Sequence, residues 1–286
     1  MTTRTRTVAL ALAALALTAT ACGTGGPPPD AERASAAPRE AAAGEPAPRR
    51  PATLPLTRDG RAPVFAHGRR VPRDKTVALT FDADMTADQG PRAAAGEPFD
   101  NPELVGLLQA ERVPATFFVT GMWARTYPGQ TAALGRDPLF EVANHSYSHY
   151  AFTRPCHGLP ALEPGRALAE VRQGFAALRA AGVPDPVPYF RFPGGCYTDA
   201  TLREIAPAGV TVVQWDVAGG DPFTEDADAV VRQVLSGVRP GSVVVLHCTR
   251  SAAPATAEAV RRVVPELRER GYRFTRVSEL VADSAR

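Results

Sequence analysis

Two carboxylates close the stretch VALTFDADMT: Asp82 and Asp84, two positions apart at the end of an apolar run. The arrangement recurs along the chain. His145 and His149 follow LFEVAN, Arg191 follows PYF, Asp216 and Asp221 follow VTVVQW, and His247 follows VVVL. Only five histidines occur in 286 residues, and three of them stand at these points. Imidazoles and carboxylates are the groups that bind divalent metals and move protons. The HxxxH spacing suits two imidazoles on one metal and, in a helix, puts both on one face. Each residue also has a plain structural reading. Asp84 could cap a turn, Arg191 could serve a buried ion pair, and His247 could be a satisfied core histidine. Their repeated placement after apolar runs is what argues for one shared site.

The elements that must position these groups alternate in type. TVALTF, ATFFVTG, LFEVANHS, PYFRFPGG, VTVVQWDV and GSVVVLHC read as strands. Between them lie helical stretches. NPELVGLLQAERV has Asn101 as cap and Pro102 in the first turn. GRALAEVRQGFAALRAAG closes at Gly182, DADAVVRQVLSGV starts at Asp226 or Asp228, and TAEAVRRVVPELRERG is expected to break near Pro265. Such alternation over some two hundred residues means a parallel α/β domain. With about seven strands it suits a distorted (β/α) barrel, whose active sites gather at the C-terminal strand ends.

Composition narrows the function. The net charge is +2 and aromatics make up 7%. No dense Lys/Arg stripe or stacking platform appears, which argues against nucleic acid as a partner. Residues 1–21 read as a secretory signal peptide, with Arg4 and Arg6 ahead of an apolar run. The ending TATAC resembles a bacterial lipobox, which implies lipidation at Cys22, a membrane anchor and an extracytoplasmic site. Residues 22–57 are rich in Pro and Ala and read as a disordered tether that could extend about 100 Å. The domain is expected from 58 to 286. Cys156, Cys196 and Cys248 remain, an odd count that suggests one disulfide and one buried thiol, with the pairing open.

Taken in order, TFDAD, HSYSH, RFPGG, WDVAGGD and VLH resemble the five motifs of the polysaccharide deacetylases, the NodB-homology group or carbohydrate esterase family 4. The resemblance spans roughly residues 72 to 280. It implies a divalent metal, usually zinc with cobalt, nickel or manganese as substitutes, and hydrolysis of acetyl groups from N-acetylated sugars. It implies His145 and His149 as metal ligands, Asp82 as general base, Arg191 as the cation that tunes that base, His247 as general acid and Asp221 as its carboxylate partner. Gly194 would lend a backbone N–H to the oxyanion, and Leu246 would line the acetyl pocket. Tyr197 and Trp215 complete the expected substrate contacts.

The sequence departs from the family at two motifs. The usual first motif has adjacent aspartates, the second being a metal ligand; here that place is Ala83. Residues i and i+2 of a strand share a side, so Asp84 is expected to be the third ligand. The fourth motif keeps Trp215 and Asp221 but has Ala218, Pro222 and Phe223 at other family positions, which bears on the substrate rather than the chemistry. Peptidoglycan or a chitin-like polymer is the expected substrate. A non-catalytic glycan-binding protein and an O-deacetylase acting on acetylated xylan are the competing readings. A non-haem iron oxygenase shares a two-His-one-carboxylate set but not the alternating β/α pattern. The sequence carries no signal for oligomeric state.

Overall fold

Strand β2 (Thr76–Ala83) is the longest in the fold, and its period-two alternation organises the rest. Val77, Leu79, Phe81 and Ala83 point to one side, into a core shared with the surrounding helices. Ala78 points to the other, against Phe118, Ala143 and Val243. The computed structural model describes residues 51–285. Strand β1 (Val64–Phe65) precedes β2, and helices α1 (Gly90–Ala94) and α2 (Pro102–Ala110) follow it. Next come β3 (Ala115–Val119), α3 (Gly121–Thr126), α4 (Pro128–Arg136), β4 (Phe140–Asn144), α5 (Ala167–Ala180), β5 (Tyr189–Phe190), α6 (Asp199–Ile205) and β6 (Thr211–Val213). The chain ends with β7 (Val217–Ala218), α7 (Ala227–Gly237), β8 (Ser242–His247), α8 (Thr256–Glu269), β9 (Arg273–Phe274) and α9 (Val277–Ser284).

The strand order is β1-β6-β5-β4-β3-β2-β8-β7, with β9 paired to the start of β2. These pairings are parallel throughout. Helices α2, α7 and α8 cover the outer face through Leu104, Leu108, Val230, Val234, Val260 and Val263. This is the expected distorted (β/α) barrel.

Two local expectations need correction. VTVVQWDV is not one strand: Gln214 to Asp216 break it. That break carries the chain from one end of the strand order to the other. The Gln214 N–H donates to the Phe65 carbonyl, and the Asp216 N–H to the Val243 carbonyl. The Asp216 carboxylate accepts from the Val243 N–H at 2.7 Å, from Ser242 Oγ and from Arg70, so it closes the barrel and stays away from the site. Helix α8 runs unbroken through Pro265. The proline is exposed, so the one helical bond it forfeits lies on the water side, while Val260, Val263, Val264 and Leu267 bury the other face. Of the two candidate caps for α7, Asp226 serves, accepting from the Asp228 N–H.

The domain also begins earlier than composition predicts. The Leu54 N–H donates to Thr211 Oγ1 at 2.8 Å, and Tyr189 Oη donates to the Ala52 carbonyl at 2.9 Å. Leu54 packs against the inner core cluster, which also contains Val277, Leu280 and Val281 of α9. Both contacts lie at the N-terminal ends of β5 and β6. The expected signal peptide, Cys22 and the tether up to residue 50 lie outside the described residues. Two hydrogen bonds and one apolar contact predict that a chain starting at 58 is less stable than one starting at 51 by about 1–3 kcal/mol. Urea denaturation of the two checks this.

Candidate active site

Asp82 continues the inner row of β2 and ends it, 4% exposed. A carboxylate at that depth needs partners. Arg191 Nη1 donates to Asp82 Oδ1 at 2.6 Å. Arg191 is itself fully buried. Its Nε donates to the Val213 carbonyl at 3.1 Å, and its guanidinium lies 3.9 Å above the Phe118 ring. Burial pulls the Arg191 pKa below its ordinary value, and the adjacent Asp82 carboxylate pulls the other way.

The backbone of the same arginine orients a histidine. His145 Nδ1 lies 2.9 Å from the Arg191 carbonyl. Burial pushes the His145 imidazolium down to about 4, against the pull of Asp82. A neutral ring facing a carbonyl carries its proton on Nδ1, so Nε2 presents a lone pair. That lone pair lies 3.5 Å from Asp82 Oδ2. His149 Nε2 lies 3.3 Å from Asp84 Oδ2, and the two imidazole rings are 5.1 Å apart. Ala83 points into the outer core, so Asp82 and Asp84 lie on the same side of the chain. Burial works against ionisation of Asp84, but His149, His247, Thr249 and His145 outweigh it and hold the carboxyl below its usual range.

The HSYSH segment is not helical, as its spacing alone would have allowed. It is a turn with Ser146 and His149 at positive φ. Glu170 of α5 holds it, accepting from the Tyr147 N–H and from Ser148 Oγ. The Gly121 and Met122 N–H groups at the start of α3 bind the Ser146 and Tyr147 carbonyls.

These donors suit a divalent cation: one ring with an anchored Nδ1, a second ring and a carboxylate. The set is open rather than clustered. Among the described residues, the one Cys/His/Asp/Glu triple with ligand atoms all within 4.8 Å of one another is Cys156, His157 and Cys196. Its sulfurs form a disulfide with each other, so they are not thiolate ligands.

His247 ends β8 directly beside Asp82 in register. Its Nδ1 lies 3.1 Å from Asp221 Oδ1. The other Asp221 oxygen accepts from the His247 N–H and from Thr256 Oγ1. Burial opposes the charged ring, yet Asp221, with Asp84 and Asp82 beyond it, raises His247 to about 9.

The expected substrate contacts divide. Leu246 faces the outer core with Val244 and packs against Gly219, so it does not share a face with His247. Period two gives that position to Val245. Gly194 sits at φ 63, and a side chain there would meet Cys156 Sγ. Trp215 lies against Gly195 and 5.5 Å from the Arg191 guanidinium. Tyr197 stacks on Phe192 and is 37% exposed. Cys248 is the buried thiol, and Cys156–Cys196 fastens the loop after His149 to the turn after Arg191. Thr249, whose hydroxyl donates to Asp84, carries no motif signal.

The Asp221 contact generates a prediction. A pKa raised in the fold stabilises the protein fully below the unfolded value of about 6.5, and this is lost as pH rises through about 9. Asp221→Asn should bring the His247 titration down toward 6.5 and remove that alkaline loss. NMR titration of the imidazole, with melting curves at pH 6 and pH 9, checks both.

The sequence model of the family described as Polysaccharide deacetylase matches residues 69–213. The chain is 31% identical over 233 residues to a chitooligosaccharide deacetylase of Bradyrhizobium sp. (strain ANU 289), covering 76% of this chain and 97% of that one. It is 28% identical over 211 residues to a peptidoglycan-N-acetylglucosamine deacetylase of Bacillus cereus (strain ATCC 14579), covering 73% and 89%. A CE4 family pseudoenzyme from Bacillus anthracis shares the fold with a TM-score of 0.62 at 23% identity, over 77% of this chain and 69% of that one. With the parallel barrel and the carboxylate–imidazole mouth already described, these matches mean that the chain belongs to the polysaccharide deacetylase family.

Proposed function

We propose that the protein hydrolyses acetamide groups on N-acetylated sugars of a cell-envelope glycan, with peptidoglycan the first substrate to test. The observation that carries the reading is the register of β2 and β8. It sets Asp82 beside His247, each with its own buried partner of opposite charge. A base and an acid held side by side are what amide hydrolysis needs and what binding alone does not.

The roles follow from the atoms left over. Arg191 occupies Asp82 Oδ1, so Oδ2 takes the proton from the attacking water. Asp221 occupies His247 Nδ1, so Nε2 gives a proton to the departing amine. The amine leaves as the free amino sugar and the acetyl group as acetate. The Gly194 N–H is the candidate donor to the oxyanion. Asp84, His145 and His149 would hold the divalent cation, zinc before cobalt, nickel or manganese, which supplies Lewis acidity and a more acidic water. Phe223, 81% exposed one residue beyond the Asp221–Pro222 turn, is placed to meet a sugar face at the rim. No helix among the described residues is long and apolar enough to cross a membrane. The secretory N-terminus and the lipobox-like Cys22 support a lipid-anchored extracytoplasmic enzyme.

Acetate release from peptidoglycan and from chito-oligosaccharides, with Zn2+ or Co2+ added, tests the activity. Asp82→Asn should lower kcat by about 10²–10⁴, and acetate release unchanged in that variant would overturn the assignment. Asp84→Ala should lower bound zinc below one equivalent; full retention would remove Asp84 from the ligand set. Phe223→Ala should raise KM by about three- to tenfold with kcat little changed.

A further inference from the structure

The carboxylate of the proposed metal set stands where its strand no longer holds it. Ala83 is the last residue of β2, and Asp84 is the first beyond it. A side chain there has lost the ladder that fixes Asp82, and it rotates among staggered rotamers unless another group restrains it.

The register of β2 and β8 supplies that group. It pairs Val77 with Ser242 at one end and Asp82 with His247 at the other. Two residues farther along each chain come Asp84 and Thr249, at the same offset. Thr249 is 2% exposed. Its hydroxyl accepts from the Asp84 N–H at 3.1 Å and donates to Asp84 Oδ1. The Asp84 carbonyl lies 3.2 Å away as an alternative acceptor. Among the described residues, the hydrogen bonds of the Thr249 hydroxyl thus all go to Asp84. The turn after β8 does not need that hydroxyl, because the Thr249 backbone carbonyl accepts from the Ala252 and Ala253 N–H groups.

A hydroxyl bound at once to the N–H and the carboxylate of one residue closes a small ring, which fixes the Asp84 rotamer. It also divides the carboxylate. Oδ1 is taken by Thr249, and Oδ2 lies 3.3 Å from His149 Nε2. Two donors bound at about 2.0–2.1 Å to one tetrahedral zinc stand about 3.3–3.4 Å apart. The clamp therefore keeps Oδ2 at a ligand-to-ligand distance from His149 without help from an ion.

We propose that Thr249 is a positioning residue for the metal: its hydroxyl takes over the restraint that β2 no longer gives the displaced carboxylate, and leaves Asp84 a one-oxygen ligand. This rests on Asp84 being a ligand, as proposed above.

The test reads the zinc affinity of the full chain by competition with a chromophoric chelator, independently of activity. Thr249→Val keeps the shape and removes the hydroxyl; it should weaken zinc binding by about 10–100-fold, while Thr249→Ser stays within about threefold of the parent chain. In an Asp84→Ala background, Thr249→Val should have no further effect, whereas a general folding defect would weaken zinc in both backgrounds. Three results overturn the proposal while leaving Asp84 a ligand: unchanged affinity in Thr249→Val, an equal loss in Thr249→Ser, or an equal loss from Thr249→Val in both backgrounds. Unchanged affinity in Asp84→Ala removes the ligand itself, and the proposal falls with it.

Discussion

The buried pair between Arg191 and Asp82 is the contact on which the site depends. Neither charge is accessible enough for water to neutralise it. Each is therefore obliged to keep the other, and losing one partner of such a pair commonly destabilises by about 3–5 kcal/mol. Arg191 does more than balance a charge. Its side chain fixes one oxygen of Asp82, and its backbone carbonyl fixes the tautomer of His145. One residue thus sets the geometry of the proposed proton acceptor and of a proposed metal ligand. The guanidinium is in turn held by the Val213 carbonyl and the Phe118 face, so the arrangement reaches back through β6 and β3 into the inner core.

A matching economy appears on the other side of the mouth. Asp221 accepts from the ring and the backbone of His247 and from Thr256 at the start of α8. The two carboxylates are both buried, yet they serve opposite ends. One is paired with a fixed cation through one oxygen and meets the His145 ring with the other; the other carboxylate is saturated with donors and holds an imidazole charged. Environment rather than residue type divides the labour between chemically identical groups.

How much of this could be read in advance depends on the range of the contact. Asp82, Asp84 and His247 were legible because strand alternation is local and Ala83 had to turn away. The same rule, applied to β8, puts Val245 on the face of His247 and Leu246 in the outer core. The HSYSH spacing fits a helix as well as a turn, and only Glu170, over twenty residues later, decides between them. The break at Gln214 to Asp216 answers to Phe65 and Val243, partners with no sequence proximity. Pro265 does not break its helix because its cost falls on a solvent-facing bond. Of three cysteines, the pair that bonds is set by the approach of two loops, which no spacing encodes.

The docking of Ala52 and Leu54 beneath the barrel has a consequence for orientation. These residues meet Tyr189 and Thr211 at the strands' starting ends, whereas Asp82 and His247 lie at their finishing ends. Strand β2 alone spans eight residues, about 25 Å at 3.3 Å each. Ala52 and Leu54 therefore lie on the side away from the mouth, and a contact made there leaves the mouth uncovered.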